Sequence, residues 1–288
     1  MGLPLVIYHG GGCPDGFGAA LAAYVGLERQ GIEAQFYGAS HGPIEGIELD
    51  QLSDSTVYLL DFAYKRDQMK ILCAAAHKVV VIDHHISAQK DLLGLDHELD
   101  NLELNFDMER SGTVMAWDYF HTEPAPRLLR CIQDRDLWQF REPDSQNINA
   151  ALMSKPFTFD TWRQYLDDDK ALAALIPEGS AINRFREQMI SHHSKRAVMG
   201  KIAGYDVPVV NCPREIVSEL VGSLAEGHPF AAGYSDNGNQ RGWSLRSTPD
   251  GLDVSVIATR LGGGGHARAA GFTTELPQVS VEVGEAQG

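Results

Sequence analysis

Short apolar runs alternate along this chain with longer stretches of helical character. The run PLVIYH (4–9) predicts a buried strand. It leads through Gly10–Gly12 into a Gly- and Ala-rich helical run over 16–30, which Gly31 can stop. AQFYG (34–38), TVYLLD (56–61) and KVVVID (78–83) predict three more strands, and residues 65–76 a helix between the last two. Strands alternating with helices predict a parallel α/β sheet. In such a sheet, binding residues collect at the carboxyl ends of the strands. His9, Asp61 and Asp83 each end a predicted strand, so they are expected to converge.

Further on, residues 111–121 and 125–138 read as helices divided by a turn at Pro124 and Pro126. Residues 157–200 read as helical with loops and include the acidic run Asp167–Asp169. The polar stretch 182–196 suits a connector. From residue 207 the pattern changes to a strand (VPVVN), a helix near 214–226, strands near 229–235 and 241–247, and a helix near 253–261 before Gly262–Gly265. The expected organisation is α/β throughout. A parallel-sheet domain over 1–180 is followed by a helical linker over 181–200 and a smaller α/β domain over 201–288.

Composition narrows the function classes. A chain of 288 residues accommodates two domains. Its 24 Lys and Arg against 39 Asp and Glu leave a net charge of -15, which argues against a protein that coats duplex DNA. No basic, apolar leader precedes the first strand, and no apolar run is long enough for a membrane span. The four cysteines, Cys13, Cys73, Cys131 and Cys212, form no C-x-x-C pair. Scattered thiols of this kind suit a reducing compartment, so a cytoplasmic location is expected. Cys13 stands apart because it sits in the first glycine-rich loop.

Two places carry chemistry. Asp83-His84-His85 follows directly on an apolar strand, and carboxylate with imidazole suits Mn, Zn or Fe. His9, Asp15 and Asp61, together with Asp134 and Asp136 in CIQDRDLW (131–138), add acid or imidazole at separate points. Helix capping by Asp15 or Asp83 would account for each acid alone but not for two adjacent histidines at a strand end. The second place is the run Gly262–Gly265 followed by His266 and Arg268. Backbone N–H groups at Gly263, Gly264 and Gly265 could approach a phosphate, with His266 and Arg268 adding hydrogen bonds and charge. Arg246 in WSLRS is a further anion ligand. Trp138, Phe140, Trp243 and Phe272 could stack on a base, although a core role is the preferred reading for most of them.

At these residues the chain resembles the DHH phosphoesterase superfamily. Asp83-His84-His85 is similar to the motif that names it, HGGGCPDGFGAA (9–20) to its first motif, LLDFAY (59–64) to its second and CIQDRDLW to its fourth. GGGGHARAAGF (262–272) resembles the glycine-rich motif of the DHH-associated C-terminal domain. The nearest flavour is the shorter, exopolyphosphatase-related type. The resemblance implies two domains with the active site in the cleft between them, and one or two Mn²⁺ ions, with Mg²⁺ or another divalent ion as the substitute. It implies metal ligands at His9, Asp15, Asp61, His84 and Asp134, with Asp136 as the alternative to Asp134. Asp61 would bridge, Asp83 would orient a ligand histidine, and His85 would contact the scissile phosphate. One departure stands out. Where many members carry a second aspartate in the first motif, this chain has Phe17, so the second ion is expected to lack a ligand, to bind weakly, or to recruit Cys13 or, more remotely, His41.

The expected activity is metal-dependent hydrolysis of phosphodiester or phosphomonoester bonds in a short oligonucleotide or nucleotide. The alternatives are a phosphoanhydride hydrolase acting on polyphosphate or pyrophosphate, and a non-catalytic nucleotide binder with a damaged metal site. No membrane and no duplex DNA are expected as partners. A homodimer is compatible with the sequence.

Overall fold

The computed structural model describes residues 2–40 and 42–276. The chain divides into two compact units, Met1–Arg184 and Phe185–Gly288.

The first unit is built on five strands, β1 (Leu5–His9), β2 (Gln35–Ala39), β3 (Thr56–Leu60), β4 (Lys78–Asp83) and β5 (Leu102–Phe106). All pair in parallel in the order β2-β1-β3-β4-β5. Helices α1 (Pro14–Arg29), α2 (Arg66–Ala75), α3 (Ile86–Leu92), α4 (Gly112–Phe120), α5 (Arg127–Asp136), α6 (Ser145–Leu152) and α7 (Phe159–Asp167) complete the unit. Helix α8 (Asp169–Ser194) carries the chain across the boundary.

The central strands are apolar on both faces because both faces are covered. Successive side chains of a strand point to opposite sides. Accordingly Val6, Val80 and Ile82 pack into one core with Ala19, Ala22, Trp117 and Ile132. Leu5, Ile7, Val79 and Val81 pack into the other with Met69, Leu72 and Leu92. The chain leaves β1 toward β2 on one side and returns to β3 on the other. The sheet therefore reverses direction between β1 and β3, and ligands of doubly wound sheets bind at this kind of switch point.

The second unit holds a six-stranded mixed sheet in the order β10-β11-β9-β8-β7-β6. Its strands are β6 (Val198–Ile202), β7 (Tyr205–Asn211), β8 (Ala231–Asn237), β9 (Gln240–Arg246), β10 (Gly264–His266) and β11 (Ala269–Glu275). Helices α9 (Val217–Leu224) and α10 (Val254–Arg260) cover separate apolar clusters. Among the described strands of this sheet only β7 and β8 pair in parallel, the chain passing through α9 between them.

Three features depart from the pattern expected along the chain. The stretch 157–200 is helical only to Ser194, and its end enters β6. Helix α6 and the strand LELNF of β5 were not expected. β5 is an edge strand, and its half-buried Glu103 and Asn105 hide the usual apolar signature. Among the described residues, no helix is long and apolar enough to cross a membrane.

Candidate metal centre

The carboxyl edge of the first sheet concentrates titratable side chains. β1, β3 and β4 are neighbours, so His9 at the end of β1, Asp61 just past β3 and Asp83 at the end of β4 lie side by side. Asp61 is at the centre. Its backbone has φ of 59°, a conformation that costs about 1–3 kcal/mol in a non-glycine residue and is held only where the surroundings impose it. Two close approaches do so. The Asp61 N–H donates to the Ile82 carbonyl at 2.9 Å. A Cβ on Gly112 would stand 2.6 Å from the Asp61 Cβ, so only glycine lets α4 start there. Gly16 does the same for α1, since a Cβ there would meet the His9 carbonyl oxygen at 2.2 Å.

The two Asp61 oxygens face different partners. Oδ1 lies 3.1 Å from His84 Nε2, and that nitrogen also lies 3.5 Å from Asp15 Oδ2 and 3.5 Å from Asp136 Oδ2. Oδ2 lies 3.3 Å from His9 Nδ1 and 3.5 Å from Cys13 Sγ. Two groups of donors thus share one bridging carboxylate. His9, Cys13 and Asp61 form one. Asp15, His84 and Asp136, joined by the other Asp61 oxygen, form the second, and within each set of three the donor atoms are no more than 4.8 Å apart.

Asp83 is fully buried and shapes the loop that follows it. Its Oδ1 accepts the backbone N–H groups of His84 at 2.8 Å and His85 at 3.2 Å, and lies 2.7 Å from His85 Nδ1. Its Oδ2 has no hydrogen-bond partner among the described residues.

Asp15 does two jobs. Within the first turn of α1, it accepts the N–H groups of Gly112 at 2.7 Å and Thr113 at 3.0 Å, while Thr113 Oγ1 donates to its backbone carbonyl at 2.7 Å. The capping reading was therefore half right: Asp15 satisfies the start of α4 rather than of its own helix, and it still faces His84.

The fourth motif requires a correction. Asp134 is buried but turned away. Its carboxylate accepts the Arg141 N–H at 2.6 Å and the Ser145 hydroxyl at 2.5 Å, which ties α5 to α6. Asp136 is the acid that meets His84. Two residues on a helix are rotated by about 200°, so the pair cannot share a target. The apolar stripe of Leu128, Leu129 and Ile132 already pointed to Asp136, which follows Ile132 by four positions.

The first motif is also resolved by packing. Phe17 is buried in an aromatic cluster, its ring centroid 4.9 Å from Trp162, 5.3 Å from Phe159 and 5.4 Å from Phe157. Position 17 therefore faces the core, and Cys13 is the side chain brought to the donor set. His41 lies outside the described residues.

The electrostatics fit a cation. No Lys or Arg ion-pairs with Asp15, Asp61 or Asp83 among the described residues. Burial, then the neighbouring Asp61 and Asp136 charges, push the Asp15 carboxyl well above its usual range. Burial, with Asp61 and His84 acting in opposite senses, also raises Asp136. Burial opposes charge on Asp61, but hydrogen bonds from His84 and His9 hold its carboxyl well below the usual range. Burial likewise opposes charge on the histidines. The Asp61 hydrogen bond and nearby carboxylates still raise His84 to about 10, and Asp83 raises His85 to about 9. Burial and the charges of Asp61 and Asp15 push the Cys13 thiol up. Carboxylates forced together in a dry place, one with an orphaned oxygen, suit divalent metal ions with oxygen and nitrogen donors.

In the second unit the glycine run has other work. The N–H groups of Gly262 and Gly263 donate to the Thr259 and Ala258 carbonyls at 3.1 and 2.8 Å, which closes the end of α10. Gly264 and Gly265 then pair with Gly271 and Ala270 in the hairpin of β10 and β11, and His266 pairs opposite Ala269. Two of the four glycine N–H groups are thus unavailable to a phosphate. Arg268 is corrected too. Its guanidinium donates to the carbonyls of Pro249, Gly251 and Leu252 at 2.7, 2.8 and 3.3 Å, so it staples that loop. Arg246 is half-buried and donates to the Leu245 carbonyl and the Ser218 hydroxyl, with no carboxylate in ion-pair contact among the described residues. Trp243 and Phe272 stack on each other with centroids 5.7 Å apart and pack on the core of this unit. Trp138, two residues after Asp136, is 48% exposed.

No family model matches the chain. It is 31% identical over 289 residues to an uncharacterized protein of Acanthamoeba polyphaga mimivirus, covering 93% of this chain and 66% of that protein. It is 25% identical over 257 residues to oligoribonuclease NrnB of Bacillus subtilis, covering 78% of this chain and 61% of that protein. The chain therefore spans slightly under two thirds of the length of these relatives. Among solved structures, the crystal structure of exonuclease RecJ bound to manganese superposes with a TM-score of 0.50 at 15% identity, covering 94% of this chain and 86% of that one. That likeness shows a shared fold.

Proposed function

We propose that this chain is a DHH-type, metal-dependent hydrolase of phosphodiester bonds in short oligoribonucleotides. The observation that carries the reading is the pair of donor groups joined through Asp61. The substrate class is supported by the similarity to an oligoribonuclease. A net charge of -15 also favours a short substrate over a long duplex.

Manganese fits the oxygen- and nitrogen-rich set of Asp15, Asp61, His84 and Asp136. Bound divalent ions supply Lewis acidity and make hydroxide available near neutral pH. The residues of the chain do the rest. Asp61 holds the two donor groups at a fixed separation, because its carboxylate faces one with each oxygen. Asp83 holds the His85 ring through Nδ1, and His85 so held would donate to a phosphate oxygen and stabilise charge as it develops. Asp15 ties the donor set to the N-terminus of α4, whose N–H groups point at it. Within the second unit Arg246 and His266 are the candidates for holding a phosphate, and within the first unit exposed Trp138 is the candidate for stacking on a base, worth about 1–3 kcal/mol.

The test is hydrolysis with Mn²⁺ of a diribonucleotide, a longer oligoribonucleotide, a nucleoside bisphosphate and polyphosphate. Release of mononucleotides from the diribonucleotide, abolished by Asp61→Ala, is the expected result. Cleavage of polyphosphate alone would replace this reading with a phosphoanhydride hydrolase. No bound metal after reconstitution, with no turnover of any substrate, would favour the nucleotide binder with a damaged metal site.

A further inference from the structure

We infer that Cys13 is a metal ligand, and that it makes one of the two metal positions a sulfur-containing site with its own metal preference. The inference rests on the metal-dependent reading above and sharpens it.

The geometry singles out this thiol. Cys13 Sγ and His9 Nδ1 lie 3.5 and 3.3 Å from the same oxygen, Asp61 Oδ2. Two ligands of one ion are separated by no more than the sum of their bond lengths, about 4.5 Å for sulfur with oxygen and about 4.3 Å for nitrogen with oxygen. Both spacings to Asp61 fall inside those limits, and the three donor atoms lie within 4.8 Å of one another. The local backbone supports the placement. Cys13 occupies the N-cap of α1, where a hydrogen-bonding Ser, Thr, Asp or Asn is usual, yet its side chain makes no capping bond. The loop of three glycines turns back, with the Cys13 N–H donating to the Gly10 carbonyl at 3.3 Å, and so returns the thiol to His9. The other cysteines, Cys73, Cys131 and Cys212, are buried and contribute to no such group among the described residues.

The consequence is chemical asymmetry. A thiolate favours softer or borderline ions such as Zn²⁺, Fe²⁺ or Co²⁺, whereas donors of nitrogen and oxygen alone are better suited to Mn²⁺ or Mg²⁺. The His9, Cys13 and Asp61 position is therefore selective for the first class, and the position of Asp15, His84 and Asp136 for the second. The shared Asp61 carboxylate would then join two unlike ions.

Cobalt(II) tests this without reference to activity. Metal-free full-length protein is titrated with Co²⁺ while bound cobalt and near-ultraviolet absorption are followed. The expected result is a thiolate-to-cobalt charge-transfer band that saturates at one equivalent and is absent from Cys13→Ser. Serine is a good N-cap, so that variant keeps α1. Cys13→Asp is expected to bind two equivalents without the band and to shift competition toward Mn²⁺ by at least tenfold. Two bound cobalt ions with no band, or a band that persists in Cys13→Ser, would overturn the inference and leave the metal-dependent reading standing. No bound cobalt at all would overturn both.

Discussion

The two acids of the fourth motif offer the sharpest test, because the structure gives them opposite jobs. Asp134 holds α5 against α6, and its carboxylate accepts the Arg141 N–H and the Ser145 hydroxyl in a buried setting. Asp134→Ala removes both acceptors. A buried polar group left without a partner costs about 1–3 kcal/mol, so the pair predicts a loss of about 2–6 kcal/mol. For a unit of this size each kcal/mol lowers Tm by about 2–4 °C, giving a drop of roughly 4–24 °C. Asp136 stands at the end of α5 with its side chain 30% exposed and faces His84. Asp136→Ala should change the stability of metal-free protein by no more than about 0.5 kcal/mol. It should weaken one metal ion by about 100-fold or more, since losing a partner one step removed from a metal already costs about 10–100-fold. Urea unfolding of both metal-free variants, together with calorimetric titration of Mn²⁺, separates the two. An Asp134→Ala protein of normal stability that no longer binds metal, beside an Asp136→Ala protein that binds normally, would refute the assignment.

Three further outcomes follow from the packing and charges. Phe17→Ala should cost about 3–5 kcal/mol in urea unfolding and leave the number of bound metals unchanged, because the ring belongs to the aromatic core; a lost ion at normal stability would contradict this. Gly112→Ala puts a Cβ against Asp61 backbone and side chain, and a displacement of that order should lower kcat by about 100-fold in a folded protein; a normal turnover number would show that Asp61 is not held from α4. His84 and His85 are raised to about 10 and 9, above the ordinary 6.5, so their stabilising contribution is complete below about pH 6.5 and is lost as pH climbs through those values. Metal-free protein should therefore lose stability between pH 7 and 10, while apparent metal affinity rises over the same range because the ion displaces a proton from His84; a flat unfolding profile without metal would sink the argument.

What was legible in the sequence was legible for a geometric reason. Side chains at the ends of parallel strands must lie along one edge, so His9, Asp61 and Asp83 could be grouped before any coordinate was known. Where the reading went astray, the deciding contact comes from elsewhere in the chain or from the phase of a helix. Asp15 is held by Gly112 and Thr113, nearly a hundred residues away, and no local pattern announces that α4 begins against it. Four consecutive glycines look alike in sequence, yet Gly262 and Gly263 end a helix while Gly264 and Gly265 enter a strand, and only the partners Thr259, Ala258, Gly271 and Ala270 tell them apart. Arg268 reads as a free cation until three carbonyls from 249–252 are seen to occupy it. Phe17 shows the same limit from the other side. Looked for as a missing aspartate, it is instead turned into the aromatic core, and Cys13, four residues earlier at the N-cap of α1, is the group that reaches Asp61. Family pattern names the positions to inspect, but the direction each side chain takes is decided by packing.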